Sequence, residues 1–257
     1  MNIHRAVAGS TIEQQMVAAV DRAKLRKKPF DHICMERVFD EDSYAGLLAA
    51  MPQRSAFHEL RHADALREDG TSTRLRLYLL PEHLRKLPAE QRRLWLNVAN
   101  ALSSPALAGA FKRKFRGALE ERFGKPVEKL GIFPIPILLR DQPGYRIGIH
   151  SDKFTKAITV QFYLPRDDSQ RGIGTIFHES NSGPGAEKTT QMQFLPSSGY
   201  AFPVSLTKSW HSAATVAEED GERVSMMVTY YVADTLWQRM YWKARRGLLR
   251  IGILPER

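Results

Sequence analysis

The sequence predicts an α+β protein with a mainly β core, a double-sheet jelly roll of about eight strands flanked by N-terminal helices. The first observation is a change of composition at Gly131, beyond which short runs rich in Val, Ile, Phe, Tyr and Thr alternate with turn-forming residues. The second is the near-helical spacing of apolar residues before that point. Short strands separated by regular turn signals are typical of a sandwich or barrel, and eight of them suit a jelly roll.

Composition limits the class of protein further. The chain has 257 residues, a net charge of +10, 43% hydrophobic and 26% charged residues, which is typical of a globular protein and excludes disordered, collagen-like and coiled-coil classes. The single cysteine, Cys34, excludes an intramolecular disulfide and a Cys-rich zinc site. Because the N-terminus shows no apolar signal core and no stretch is long enough to span a bilayer, we expect a cytoplasmic protein without a transmembrane segment.

The first predicted helix starts at Ser10-Thr11-Ile12-Glu13, which has the form of a capping box, and extends towards Pro29. The next segment, residues 30–35, is predicted as a strand. Residues 53–75 are polar and weakly patterned, so we expect a loop over a site or a mobile excursion.

Three more helices complete the first half. Their expected starts share residue types that cap or open a helix: Asp40 or Asp42, Pro88, and Pro105. The first of them extends through Ala50, and the last ends at Gly124, a residue suited to a helix C-terminus.

The second half contains eight predicted strands. They cover residues 133–140, 144–150, 157–164, 173–178, 191–195, 199–204, 208–216 and 223–233. Alternation along the last strand turns Arg223 and Ser225 inward and gives the opposite face an apolar row, which we expect the helices of the first half to cover. The predicted organisation is therefore a mainly helical region 1–130 that packs on a jelly-roll core 131–233, followed by a basic amphipathic segment 234–257.

The positive charge is concentrated in two places. Residues 111–130 carry seven basic against three acidic residues, and residues 237–257 carry six against one. Such clusters can attract nucleic acid, a phosphorylated substrate or an acidic membrane, although we expect solvated helix faces.

The C-terminal segment combines an apolar and a basic stripe at helical spacing. The apolar stripe contains Trp237, Tyr241, Ala244, Leu248 and Ile251, and the basic stripe contains Arg239, Lys243, Arg246 and Arg250. We expect the apolar stripe to pack on the protein's own core. The alternatives are a peripheral membrane contact, a homodimer contact or a lid that attracts anions.

The residues with metal-binding chemistry lie in the predicted jelly roll. His150 and Asp152 are two positions apart at a strand end, where both can turn towards one ion, and His211 on a later strand would complete the set. Two histidines and one carboxylate on one side of an ion leave its other positions open, which suits Fe(II). The competing interpretation is a buried histidine satisfied by a nearby carboxylate. His178, beside Glu179, is an alternative metal ligand, but its position at a strand end before a Gly-rich turn leads us to expect it at the protein surface.

A carboxylate clamp follows on the last strand. Arg223 comes twelve residues after His211 and offers a planar fork that matches a carboxylate, and the hydroxyl of Ser225 points the same way. An arginine inside a small barrel needs an anionic partner, because burying its charge unpaired is costly.

These features together resemble the Fe(II)/2-oxoglutarate-dependent oxygenase superfamily over residues 131–233. The matching segments are Pro143-Gly144-Tyr145-Arg146-Ile147-Gly148-Ile149-His150-Ser151-Asp152, Phe162-Tyr163-Leu164-Pro165, Trp210-His211-Ser212-Ala213 and Arg223-Val224-Ser225. The resemblance implies a double-stranded β-helix in which His150, Asp152 and His211 bind iron. It also implies that Arg223 and Ser225 hold the distal carboxylate of 2-oxoglutarate.

The activity implied by the resemblance is hydroxylation of a C–H bond with O₂ and conversion of 2-oxoglutarate to succinate, with ascorbate as a supporting reductant. The expected substrate is a small molecule, with an anionic or carrier-linked one as the leading candidate. Asp152 speaks against the related halogenases, and Thr229, where nucleic-acid demethylases carry a second arginine, speaks against a nucleic-acid substrate. The alternatives are the same chemistry on a protein or nucleic acid, and a metal-binding jelly roll that is not an oxygenase.

The candidate substrate-binding residues are Arg140, Arg146, Gln161 and Tyr163. Gln161 and Tyr163 are pocket residues if their face of the third strand is inward. If it is outward, Val160 and Phe162 line the pocket instead.

Overall fold

The structure, a computed structural model, describes residues 11–60 and 65–250. The helices are α1 (Ile12–Arg22), α2 (Glu41–Ala49), α3 (Pro81–Leu84), α4 (Ala89–Leu102), α5 (Pro105–Lys114), α6 (Arg116–Phe123), α7 (Pro184–Glu187) and α8 (Leu236–Arg250). The strands are β1 (Leu25–Arg26), β2 (His32–Met35), β3 (His58–Glu59), β4 (Arg74–Tyr78), β5 (Ile132–Asp141), β6 (Ile147–His150), β7 (Lys156–Tyr163), β8 (Thr175–His178), β9 (Thr189–Gln191), β10 (Gly199–Pro203), β11 (Trp210–Ala213) and β12 (Arg223–Val232).

The strands form two antiparallel sheets. The larger sheet has the order β1-β2-β10-β7-β12-β5-β4-β3, and the smaller sheet has the order β6-β11-β8-β9. From β5 to β12 the chain passes repeatedly between the two sheets, so that strands distant in sequence become neighbours. This is the winding of a double-sheet jelly roll, and it confirms the predicted fold class.

The helices of the first half cover the outer face of the larger sheet. Met226, Val228 and Tyr230 on β12 are fully buried in one core cluster with residues of α1, α4 and α5. A second cluster fills the space between the sheets and is rich in aromatic rings, including Phe177 and Phe202. The larger sheet is therefore packed on both faces, by the helices on one side and by the smaller sheet on the other.

The helix starts follow local hydrogen-bonding chemistry. Thr11 caps α1, and its partner in the capping box is Gln14, so the box begins one residue later than the Ser10 pattern indicates; Ser10 itself lies outside the described residues. Asp40 caps α2 by accepting a hydrogen bond from the backbone of Ser43 at 2.7 Å. The helix that begins at Pro105 is interrupted at Phe115, which separates α5 from α6.

Part of the segment expected to be a loop is a strand. β4 begins at Arg74 and pairs with β5 along the larger sheet. Leu75 and Leu77 join the core under the helices, whereas the arginines alternate with them and face the space between the sheets. The sequence of this strand is partly polar because arginines occupy its inward-facing positions.

The expectation that the apolar stripe of α8 packs on the core is wrong. Trp237, Tyr241 and Leu248 are exposed, and Trp242, which lies outside that stripe, is the residue that anchors the helix. Ile251 lies outside the described residues. None of the helices in the described part of the chain has the length and apolar content that a bilayer crossing requires.

Candidate functional site

Two histidines from neighbouring strands of the smaller sheet meet inside the jelly roll. His150 is the last residue of β6 and lies directly opposite His211 of β11 in the strand register. Their ring centroids are 4.2 Å apart. Asp152 follows β6 by two residues, and a ligand atom from each of the three side chains lies within 4.8 Å of the others. The structure thus brings all three predicted metal ligands to one point.

Backbone carbonyls orient both imidazole rings. The Nδ1 atom of His150 lies 2.9 Å from the carbonyl oxygen of Gly148, and the Nδ1 atom of His211 lies 3.0 Å from that of Ser209. Because a carbonyl oxygen only accepts, each Nδ1 carries a proton, and in the neutral form of the ring Nε2 has the free lone pair. This is the tautomer in which a histidine binds a metal through Nε2 while a neighbouring acceptor fixes the ring.

Asp152 is buried and has two partners of its own. Thr159 on β7 donates its hydroxyl to Oδ2 at 2.6 Å, and the ammonium group of Lys156 contacts Oδ1. The carboxylate is therefore oriented by a neutral donor on one oxygen and neutralised by a cation on the other. Neither Lys156 nor Thr159 was among the predicted site residues.

The protonation states of these groups suit metal binding. Burial, opposed only in part by the charge of Asp152, lowers the pKa of His211 to about 4. Burial by itself would raise the pKa of Asp152, but the charges of Lys156 and His211 and the hydrogen bonds hold it at about 2. At neutral pH the site therefore contains a neutral imidazole at His211 and an ionised carboxylate at Asp152.

A second polar cluster lies deeper between the sheets, around Arg223. Its guanidinium is 1% exposed and donates Nη1 to Asp141 at 2.7 Å, while Nη2 lies 3.4 Å from the hydroxyl of Thr175. Its Nε atom is buried without a hydrogen-bond partner among the described residues. Arg74 binds the same Asp141 with two hydrogen bonds, of 2.6 and 3.2 Å. Two guanidinium groups therefore share one carboxylate, and the three side chains carry one net positive charge.

Ser225, two residues beyond Arg223, belongs to a buried hydrogen-bond network. Its hydroxyl accepts a hydrogen bond from Nε2 of Gln161 at 2.7 Å. The amide oxygen of Gln161 accepts in turn from the hydroxyl of Tyr200 at 2.7 Å. Tyr163 accepts a hydrogen bond from the backbone of Thr175 at 3.0 Å. Gln161 and Tyr163 thus lie on the inward face, while Val160 and Phe162 belong to the core under the helices.

Strand β7 connects the two clusters. Thr159, Gln161 and Tyr163 occupy successive inward positions, which are about 7 Å apart along a strand. The first contacts Asp152, and the second contacts Ser225. Tyr163 lies beside Arg223, with the guanidinium 5.6 Å from the ring centroid.

The remaining candidates lie away from this cavity. Arg140 is on the opposite face of β5, where it donates to Glu222 and to the carbonyl of Pro52, each at 2.7 Å. Arg146 precedes β6 and is exposed. His178 is buried rather than at the surface, and both ring nitrogens are occupied, by Ala186 at 2.7 Å and by Ser212 at 2.8 Å. The structure therefore does not bring Arg140 or His178 to the site.

Sequence reasoning missed Lys156, Thr159, Asp141 and Arg74. Thr159 shares its parity with Gln161 and Tyr163, so fixing the inward face of β7 would have found it. Asp141 ends β5 directly opposite Arg223. Arg74 gives no local signal, because its pairing depends on the addition of β4 to the sheet edge.

Comparison with known proteins agrees with this architecture. No family model matches the sequence, and no curated protein matches it. A prolyl-4-hydroxylase from Pseudomonas putida is similar in structure, with a TM-score of 0.53 and 14% identity over 85% of this chain and 100% of that one. A 2OG-Fe(II) oxygenase family oxidoreductase from Burkholderia pseudomallei has a TM-score of 0.50 and 14% identity over 90% of this chain and 94% of that one.

A third similar structure is the epimerase SnoN of nogalamycin biosynthesis, described as a non-heme α-ketoglutarate-dependent enzyme. Its TM-score is 0.50, with 14% identity over 86% of this chain and 81% of that one. The chain therefore has the double-stranded β-helix fold that these oxygenase-type structures share, as the sequence resemblance implied. Identity this low establishes the fold and not the reaction.

Proposed function

We propose that the protein is an Fe(II)/2-oxoglutarate-dependent dioxygenase that hydroxylates a C–H bond of a small molecule. The observation that carries this proposal is the convergence of two imidazoles, each with its Nδ1 beside a backbone carbonyl, and one ionised carboxylate inside the jelly roll, beside a buried cluster of net positive charge. His150, Asp152 and His211 are the iron ligands in this proposal, and Arg223 and Ser225 hold the distal carboxylate of 2-oxoglutarate.

The donor set fits iron better than a structural zinc ion. It contains two nitrogens and one oxygen from one side of the cavity, and a closed zinc site needs a fourth protein ligand. In the described part of the chain, these three are the only histidine, cysteine and carboxylate side chains that lie close enough together to share an ion. Open positions remain for a cosubstrate and for O₂, the arrangement characteristic of non-heme Fe(II) oxygenases.

The charges along the cavity match those of 2-oxoglutarate. The cluster of Arg74, Arg223 and Asp141 has one net positive charge, which a single carboxylate neutralises. The unpartnered Nε of Arg223 and the hydroxyl of Ser225 offer hydrogen-bonding capacity at that end. Gln161, which contacts Ser225, is one inward position of β7, about 7 Å, from Thr159, which contacts Asp152. A five-carbon dicarboxylate bound at Ser225 therefore extends along β7 towards Asp152.

The residues of the chain have distinct roles in this proposal. His150 and His211 present Nε2 towards the ion because their Nδ1 protons are held by carbonyls, and Thr159 fixes the orientation of Asp152. Gln161 orients the hydroxyl of Ser225. Bound Fe(II), with 2-oxoglutarate and O₂, supplies the oxidising power for the C–H bond, and succinate and CO₂ are released.

An anaerobic titration tests the proposal. We expect purified protein with Fe(II) and 2-oxoglutarate to develop a weak visible charge-transfer band, and His150→Ala to abolish it. Under air, the wild type should convert 2-oxoglutarate slowly to succinate without added substrate, with ascorbate as the supporting reductant.

The matched control is His178→Gln, which replaces a buried histidine whose two ring nitrogens are already hydrogen-bonded. This variant should keep the band if it remains folded. Tight retention of zinc by the wild type, with no response to 2-oxoglutarate and no succinate, would exclude the oxygenase and favour a metal-binding jelly roll of another function.

A further inference from the structure

Helix α8 presents large apolar side chains to solvent. Leu236, Trp237, Met240, Tyr241 and Leu248 are all exposed, with Trp237 78% and Tyr241 54% accessible. Trp237, Tyr241 and Leu248 follow one another at helical spacing, so they lie on one side of the helix. Large contiguous apolar surfaces of this kind mark interaction sites in soluble domains.

The helix is nevertheless fixed to the protein. Trp242 is buried, packs against Tyr231 with ring centroids 4.1 Å apart, and donates its indole N–H to the carbonyl of Val232 at 2.9 Å. Two residues rotate an α-helix by about 200°, so Met240 and Ala244 lie opposite Trp242. The apolar face therefore points away from the body of the protein, and the body can cover it only if the Trp242 contacts break.

Basic side chains border this face. The segment 236–250 contains five basic residues and no acidic one. Arg239 and Lys243 lie on one flank of the apolar face, and Arg245 lies on the other, 3.2 Å from the hydroxyl of Tyr241. No acidic residue of the helix is available to balance them.

The other basic cluster, residues 111–130, is largely engaged within the protein. Lys112 and Lys114 donate to backbone carbonyls at the ends of neighbouring segments. Arg122 donates to the carbonyls of Lys156 and Val204 at 2.8 and 2.6 Å. Helix α8 therefore combines basic charge with several exposed apolar side chains on one element.

We propose that α8 docks the protein on an anionic lipid surface. The helix lies in the plane of the interface with its apolar face at the boundary between headgroups and acyl chains, and its basic flanks contact the phosphates. Tryptophan, tyrosine and leucine beside arginine and lysine form the composition expected of such a helix. The proposal requires neither iron nor 2-oxoglutarate.

Charge disfavours a second copy as the occupant. Two α8 helices packed face to face would bring ten basic residues together with no acidic residue from either helix to pair with them. Duplex nucleic acid would satisfy the basic flanks but would leave Leu236, Met240 and Leu248 facing a charged backbone. An anionic membrane satisfies both parts of the surface.

Vesicle co-sedimentation of the full-length, metal-free protein tests this proposal. We expect binding to phosphatidylcholine vesicles that contain phosphatidylserine, weaker binding to pure phosphatidylcholine, and a decrease with salt. The double variant Trp237→Ser, Leu248→Ser should bind about tenfold more weakly or worse, because it removes two large apolar side chains from the apolar face. Leu206→Ser, at an exposed leucine outside α8, should bind like the wild type.

Three results would overturn the proposal. The first is equal retention of the double variant and the wild type, with both showing the same thermal unfolding. The second is a wild-type dimer in solution that the double variant converts to a monomer. The third is salt-sensitive binding to an oligonucleotide, lost in Lys243→Glu, with no binding to vesicles. Because no iron is present, none of these outcomes depends on whether the protein is an oxygenase.

Discussion

Asp141 shows how one buried carboxylate can serve two cations. It is fully buried and receives hydrogen bonds from Arg74 and Arg223. Burial by itself would lower the pKa of both guanidinium groups, but the charge of Asp141 raises both above the usual range. Both arginines therefore stay charged, and their excess over Asp141 is what a dicarboxylate would neutralise.

If this cluster binds 2-oxoglutarate as proposed, Arg74 contributes to the affinity through its charge. Arg74→Leu leaves Asp141 paired with Arg223 alone, so the cluster becomes neutral. We expect the dissociation constant for 2-oxoglutarate to rise about tenfold, equivalent to about 1.4 kcal/mol, with unchanged Fe(II) binding. Titration of the anaerobic charge-transfer band measures both.

Two further variants separate charge from packing at Arg74. Arg74→Lys should recover part of the affinity because it keeps the charge, and Arg166→Leu, at an exposed arginine, should behave like the wild type. If Arg74→Lys and Arg74→Leu bind 2-oxoglutarate equally weakly, the effect is structural rather than electrostatic.

His32 makes the stability of the fold depend on pH. It is fully buried, its Nδ1 lies 2.8 Å from the carbonyl of Phe30, and its Nε2 has no hydrogen-bond partner among the described residues. Burial lowers its pKa in the folded state. Above pH 6.5 the residue is neutral in both states. As the pH decreases below 6.5, His32 takes up a proton in the unfolded chain before it does so in the folded protein. The free energy of unfolding therefore decreases as the pH decreases, until the pH reaches the folded-state pKa.

We expect His32→Asn to reduce this acid sensitivity. Asparagine can keep a donor towards Phe30 and does not titrate. In urea denaturation of the metal-free protein, the loss of stability from pH 7 to pH 5 should be smaller in the variant, by up to about 1.4 kcal/mol per pH unit. Parallel curves for variant and wild type would show that His32 does not titrate in this range.

At the residue level, local patterns predicted the side chains that face inward from their own strand. His150, His211, Arg223 and Ser225 fall into that group, and Asp152 lies two residues beyond the end of β6. Their partners were not predictable in the same way. Asp141 and Arg74 act through pairings between strands, which depend on the register of the sheet, whereas Lys156 reaches Asp152 across a local turn of the chain.

At the element level, all eight predicted strands correspond to strands of the jelly roll. The largest shift is at β9, which ends at Gln191, where the predicted strand begins. Strand β4 was missed because its pattern is inverted: the leucines face the helices and the arginines face the interior. A polarity pattern cannot distinguish such a strand from an exposed loop.

The close approach between β8 and the segment after β9 gives a test at this level. A Cβ atom at Gly174 would overlap the carbonyl oxygen of Met192, whose backbone N–H donates to Thr175 at 2.7 Å. We expect Gly174→Ala to lower the free energy of unfolding by about 3 kcal/mol, since backbone atoms cannot yield as a flexible side chain can.

Gly172→Ala is the matched control, because an added Cβ there meets no atom within 4 Å. Urea denaturation of both variants measures the difference. A cost for Gly174→Ala no larger than that of Gly172→Ala would show that the two segments separate easily. The substitution should also weaken 2-oxoglutarate binding, because Thr175 lies 3.4 Å from Arg223.

At the level of the whole molecule, the first half of the chain is part of the sheet as well as its cover. β2 pairs with β10, and β4 pairs with β5, so strands from before Gly131 extend the larger sheet on both sides. The division into 1–130, 131–233 and 234–257 stays a prediction. The amino-acid composition changes at residue 131, but the larger sheet continues across this boundary, because β2 and β4 pair with strands that follow it.

The basic residues behind the net charge of +10 differ in the contacts that they make in the structure. Many of the basic side chains between residues 111 and 130 bind carbonyls or acids of the protein, as Lys125 does with Asp234 at 2.5 Å. The basic residues of α8 border apolar surface instead. The sequence locates both clusters but does not show which basic side chains bind groups of the protein itself.

The carboxylate shared by the two arginines also affects whether the protein can fold before its cosubstrate binds. Asp141 acts as a tethered counter-ion, so the chain need not wait for a metabolite before it folds around two buried cations. Fluctuations in the supply of 2-oxoglutarate would then change the occupancy of the cavity and leave the amount of folded protein nearly constant.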